Sequence, residues 1–181
     1  MPRKRAALLV LLPAVLIAGY FGVRALRYDL DTVGVASRAP QFSARTLGPS
    51  SQAKTLANYA GDVVLLNIWA TWCAPCRVEM PSIQALHEAY ASRGLKVVAV
   101  SIDAGGTGQQ IRDFADSLGL TFEILHDSLG AIKQAYRTTG VPETVIIGRD
   151  GVIRKRVVGA VHWDSPANRA LVEQLLAKPA R

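Results

Sequence analysis

The chain has 181 residues, half of them hydrophobic and 19% charged, the composition of a folded protein and not of a disordered one. Its formal charge of +7 does not mark a nucleic-acid binder: five of the 21 Lys and Arg precede Tyr28 with no acid among them, and the remaining 16 against 14 Asp and Glu leave only +2. Two cysteines, both in one C-x-x-C, exclude a disulfide-stapled scaffold and fall short of an all-cysteine zinc site.

Met1 to Arg5 carries three basic side chains, and Ala6 to Val23 follows without a charge. At 1.5 Å per residue that run spans about 27 Å, enough for a hydrocarbon core. A cleaved signal peptide shares the basic start, but Ile17-Ala18-Gly19-Tyr20-Phe21 offers no clean A-x-A. Residues 1–28 are therefore expected to be an uncleaved anchor, 29–40 a linker, and 41–178 one domain on the extracytoplasmic side.

In the domain, Gln41 to Leu47 alternates as an edge strand does, and Gly48 to Lys54 reads as a loop. Val63-Val64-Leu65-Leu66-Asn67-Ile68-Trp69 is a nearly continuous apolar run, as expected of a central strand buried on both faces. Cys76, Met80, Ile83, Leu86 and Tyr90 then recur at helical spacing, with an end near Arg93-Gly94. A strand over Leu95 to Ile102, a helix over Gln109 to Leu118, a strand over Thr121 to Leu125 and a short helix over Ser128 to Tyr136 follow. Thr144 to Ile147, turned by Arg149-Asp150-Gly151 into Val152 to Val158, has a hairpin signature, and Pro166 to Ala177 is a last helix capped by Ser165. The alternation predicts an α/β domain, a central mixed sheet covered on both faces and finished by an antiparallel hairpin. Arg154-Lys155-Arg156 reads as a solvated strand end.

Trp72-Cys73-Ala74-Pro75-Cys76 lies where the central strand hands over to a helix. A sulfur at a helix N-terminus meets the positive end of the backbone dipole and free amide hydrogens, which favour thiolate, the form that attacks disulfides. Pro75 is harmless in a first turn. Cys73, nearer the loop, is expected to be the exposed nucleophile and Cys76 the deeper, resolving thiol. The rival reading is a ligand pair or a static staple. Zinc would need two more ligands, and His87, His126 and His162 are not in paired spacing; haem attachment needs histidine after the second cysteine, where Arg77 stands.

The stretch Asn67 to Cys76, with Pro81 five residues beyond the pair and Val141-Pro142 far downstream, resembles the thioredoxin superfamily, and within it the membrane-anchored TlpA, ResA and CcmG group. The resemblance spans roughly Ala39 to Leu176. It implies a thioredoxin fold with a helix-strand insertion over Gln109 to Leu118 and the strand after it. It further implies Cys73 as attacking thiolate, Cys76 as resolving thiol, and Pro142 as a cis-proline facing the pair, which would leave Val141 to contact a partner.

Glu79 matches the group's acidic residue three positions after the second cysteine. One turn below Cys76, a partly buried carboxylate would raise thiol pKa values and could relay protons. Glu143 matches the Pro-Glu-Thr of the CcmG-type branch as a second acid. Trp72 is expected to be exposed beside the pair and Trp69 to pack; for Trp163 and the histidines packing or surface positions are expected. Asn67 stands where thioredoxin has a buried aspartate, and Ala74 where it has glycine. The implied activity is reduction of protein disulfides, in apocytochrome c or copper-site proteins, fed by a membrane thiol carrier, without cofactor, metal or nucleic acid.

Overall fold

The computed structural model describes residues 17–20 and 33–179. The expected anchor lies outside the described residues save for 17–20, which are helical, and among the described residues no helix is long and apolar enough to cross a membrane.

Seven strands, β1 (Ser43–Thr46), β2 (Ala53–Thr55), β3 (Val63–Trp69), β4 (Leu95–Ser101), β5 (Glu123–His126), β6 (Glu143–Ile147) and β7 (Ile153–Val158), form one mixed sheet in the order β2-β1-β5-β4-β3-β6-β7. β3 is parallel to β4 and antiparallel to β6, so it has a ladder on both sides. Its seven residues are all buried. Side chains alternate across a strand, and here both sets are apolar apart from Asn67. Val63, Leu65 and Trp69 enter one core layer, and Val64, Leu66 and Ile68 enter the other.

The first layer is covered by α1 (Ala74–Tyr90), α2 (Gly108–Ser117) and α4 (Pro166–Leu176), which contribute Met80, Ile83, Ile111, Phe114 and Val172. The second is covered by α3 (Ala131–Tyr136) and a single 3-10 turn, Leu56–Tyr59. α1 ends in another such turn, Ala91–Arg93, closed by Gly94 at φ 102°, a left-handed conformation that glycine adopts without strain.

Four expected boundaries move, each for a local reason. Ala53–Thr55, whose first two residues are expected in a loop, is a three-residue edge strand, because it pairs antiparallel with β1. β5 begins at Glu123 because Thr121 is pinned to α1 instead: Gln84 Oε1 accepts its N–H at 3.0 Å and Gln84 Nε2 donates to its hydroxyl at 2.8 Å. α3 begins at Ala131, because Asp127 Oδ2 accepts the Ile132 N–H at 2.7 Å across a left-handed Gly130. Residues 33–40 lie along the outer side of β7, where Ile153 exchanges backbone hydrogen bonds of 2.9 Å with Ala36 and Ser37.

The basic run Arg154-Lys155-Arg156 is not a solvated strand end. It lies within β7, half-buried, and its alternation sends the side chains to different layers. Lys155 Nζ donates to Asn168 Oδ1 at 2.6 Å on the α4 side. Arg156 goes to the opposite face, where its Nε stands 2.6 Å from Oε1 of the fully buried Glu143 and its guanidinium donates to the Tyr136 carbonyl at 2.9 Å and to that of Val33. Removing one partner of a buried pair leaves the other charge uncompensated. Arg156→Ala is therefore expected to cost about 3–5 kcal/mol in urea unfolding, and adding Glu143→Gln to restore part of that loss.

Candidate active site

The Cys73–Cys76 pair is built by the end of β3. The Ala70 carbonyl accepts the Cys73 N–H at 3.2 Å, which turns the chain, and α1 starts one residue later with Cys73 as its N-cap. Asp103, just past β4, fixes the turn: its carboxylate accepts from the Thr71 N–H at 2.9 Å, the Thr71 hydroxyl at 2.7 Å and the Ser101 hydroxyl at 2.7 Å.

The two sulfurs form a disulfide with a Cα–Cα separation of 5.3 Å, and Cys73 Sγ also accepts the Cys76 N–H at 3.2 Å. Cys76 is 0% exposed and Cys73 4%, so Cys73 is the outer sulfur but not an open one. The difference from the expected exposed nucleophile arises because its sulfur folds back over its own helix terminus onto Cys76. The adjacent Trp72 is 67% exposed.

Glu79 lies one turn along α1 from Cys76 and is 2% exposed. Asn67 Nδ2 of β3 donates to its Oε1 at 2.8 Å and Trp163 Nε1 donates to its Oε2 at 3.2 Å. The Thr144 side chain and the Val161 backbone face the same carboxylate. Burial pushes the pKa of Glu79 up from 4.5 to about 7; the hydrogen bonds from Trp163, Asn67, Val161 and Thr144 pull it down and only partly offset burial.

The Val141-Pro142 bond is cis. Val141 is half-buried, packed against both layers, and the Pro142 carbonyl accepts the Gly159 N–H at 2.8 Å. Glu143 does not join the pair. In the β3–β6 register Asn67 faces Thr144 and Ile68 faces Glu143, so Thr144 points toward Glu79 while Glu143 points through to the other layer, onto Arg156. Its carboxylate is fully buried on the Arg156 side of the sheet, in the layer opposite the cysteines.

Trp69 packs on Phe114 with ring centroids 4.7 Å apart. His87 sits edge-on to Phe122, His126 Nε2 lies 2.9 Å from the Asp103 carbonyl, and His162 is exposed. Among the described residues no group of three His, Cys, Asp or Glu side chains could hold a metal ion. Two residues at the site escape a reading by motif. Asp103 has only its place at a strand end as a signal, and Trp163, buried as expected, also donates to Glu79 from 84 residues away.

A carboxyl whose folded pKa is raised holds a proton that the unfolded chain has already released. Stability from Glu79 is thus full below pH 4.5 and lost as pH rises through about 7, a fall of roughly 3 kcal/mol. Urea unfolding of the disulfide form at pH 4.5 and pH 8 is expected to show the difference between wild type and Glu79→Gln moving by that amount in the variant's favour. A constant difference would mean that Glu79 titrates as a surface acid does.

A profile of the AhpC/TSA family matches residues 35–156, more than half of the chain. Thiol-disulfide oxidoreductase ResA of Oceanobacillus iheyensis is 36% identical over 163 residues, 89% of this chain and 82% of that protein. Thioredoxin-like protein YneN of Bacillus subtilis is 40% identical over 151 residues, 81% of this chain and 86% of that one. A solved structure of a thiol:disulfide interchange protein DsbE from Chlorobium tepidum superposes with a TM-score of 0.64 at 30% identity, covering 79% of this chain and 95% of that one. With a disulfide at the start of a helix on a mixed sheet, and these relatives over most of its length, the chain belongs to the AhpC/TSA family and is a ResA- and CcmG-like thiol-disulfide oxidoreductase of thioredoxin fold.

Proposed function

We propose that the protein works as a reductase of disulfides in specific partner proteins, on the extracytoplasmic side of a membrane, with Cys73, Cys76 and Glu79 as its reacting groups. The observation that carries this reading is the buried carboxylate one turn below Cys76, with a pKa of about 7. A proton acceptor works best when its pKa lies near the operating pH.

In the reduced protein Cys73 sits at the N-cap of α1, where the helix dipole and the Cys76 amide favour its thiolate. That thiolate attacks one sulfur of a partner disulfide; the partner's S–S bond breaks, a mixed disulfide forms and the other partner sulfur leaves as thiolate. Cys76 then passes its proton to Glu79 and attacks Cys73 Sγ, which frees the second partner thiolate and closes the Cys73–Cys76 disulfide. Two electrons have moved to the partner, and the proton on Glu79 is free to leave. A thiol donor must return the two electrons.

Direction follows from charge. An anionic Glu79 beside the pair disfavours thiolate, which disfavours the reduced form and makes it a donor. Exposed Trp72 and half-buried Val141, which precedes the buried cis-Pro142, are the residues that a partner strand would meet. The uncharged run Ala6 to Val23 behind three basic residues supports a membrane tether near a membrane thiol donor; apocytochrome c or a copper-site protein as substrate rests on the resemblance to the TlpA, ResA and CcmG group.

The reduced Cys76→Ser variant is expected to accumulate mixed disulfides through Cys73 with partner proteins that carry a disulfide, resolved on non-reducing gels; an absence of adducts would leave the pair a static staple. Glu79→Gln is expected to slow the resolving step roughly 100-fold at neutral pH while leaving attack by Cys73 intact, as measured by stopped-flow Trp fluorescence. An equilibrium titration against glutathione checks direction: a potential near that of strong oxidants would reverse it.

A further inference from the structure

The segment after β7 reaches back across the sheet to Glu79, and its contacts form a closed ring. The Ser82 hydroxyl donates to the Glu79 carbonyl at 2.7 Å, the Trp163 N–H donates to Ser82 Oγ at 2.9 Å, and the Trp163 indole N–H donates to the Glu79 carboxylate at 3.2 Å. The Val161 backbone faces the same carboxylate. At the start of the segment Gly159 is tied to the Pro142 carbonyl at 2.8 Å. Trp163 is wholly buried, and Lys155 Nζ stands over its ring, 5.7 Å from the centroid, held there by Asn168 Oδ1. A cation on the face of an indole draws electron density from the ring and makes its N–H a better donor.

We propose that Trp163 is a positioning residue for Glu79, acting with the Val161 backbone and backed by Lys155 to hold the carboxylate against α1 and loosen its grip on a proton. A hydrogen bond donated to a carboxylate favours the charged form, and an indole N–H can only donate. The ring therefore opposes the burial that keeps Glu79 protonated. Asn67 of β3 and Thr144 of β6 are neutral, and Lys155 of β7 acts across the indole. Within the segment His162 is exposed, and Asp164 is paired with Arg169 of α4 at 2.5 Å. On α1 the cysteine pair is a disulfide here and titrates only once reduced.

This inference concerns the acid of the proposed mechanism, and the test separates the two. The Glu79 carboxyl is followed by carbon-13 NMR against pH in the disulfide form, with Glu79→Gln identifying its resonance. Trp163→Phe keeps an aromatic ring but loses the N–H. It is expected to raise the titration midpoint by about one pH unit, a tenfold change in proton affinity. A smaller rise is expected in Lys155→Met. Loss of packing alone would lower stability and leave the midpoint in place, and an unmoved midpoint overturns the proposal. In the unaltered protein the Trp163 indole N–H resonance is expected to shift with the Glu79 midpoint, and to ignore pH in that range in Glu79→Gln; an indole insensitive to pH in the unaltered protein also overturns it, with no variant at 163 required. If Glu79→Gln keeps full reductase turnover while Trp163→Phe moves the midpoint, proton transfer by Glu79 fails and the role of Trp163 stands. The converse pair of results removes Trp163 and keeps Glu79.

Discussion

A carboxylate taken out of water and given only neutral partners is the constraint around which this domain is arranged. Burial drives Glu79 toward its protonated form, and donors from β3, β6 and the segment after β7 drive it back. The result, pushed up to about 7, is what burial leaves after those donors have offset part of it. Those donors are far apart in sequence and meet only in the finished sheet. The chemistry of a motif four residues long thus depends on side chains far outside it in the sequence.

Glu143 shows what the same group becomes with a different neighbour. It is as deeply buried as Glu79, but it faces the other layer and has a guanidinium 2.6 Å from its oxygen. A buried acid with a cation beside it is half of an ion pair; one held by amide, hydroxyl and indole donors can gain and lose a proton near neutrality. One step along β6 separates the two surroundings, because neighbouring strand residues point to opposite faces.

That step explains how far the sequence could be read. The apolar run Val63 to Trp69 and the helical spacing from Cys76 to Tyr90 are local patterns, so β3, α1 and the cysteine pair at their junction were legible. So was Glu79 as a candidate, since three residues along a helix is one turn. The face taken by Glu143 needs the register of β6 on β3, which no local pattern carries. Asp103 and Thr71 are 32 residues apart and Trp163 and Glu79 are 84 apart, and neither pairing leaves a trace in spacing. Arg154-Lys155-Arg156 looked solvated because a charge run usually is; inside a strand, alternation sent Lys155 and Arg156 to opposite layers with separate partners.

In the proposed reduction of a partner, the placement of one acid would resolve a conflict between the two sulfurs. Cys73 must be thiolate to attack, and the helix terminus supplies that; Cys76 must stay protonated until the mixed disulfide forms, or the two thiolates would repel each other in a buried space. An acid that is already anionic disfavours a second charge at Cys76, the deeper sulfur, more than at Cys73, which has the amide of Cys76 as a donor. Once Cys73 is tied into the mixed disulfide its charge is gone, and Glu79 can take the Cys76 proton without adding to the buried charge. In the proposed mechanism electrostatics thereby helps to keep attack and resolution in order.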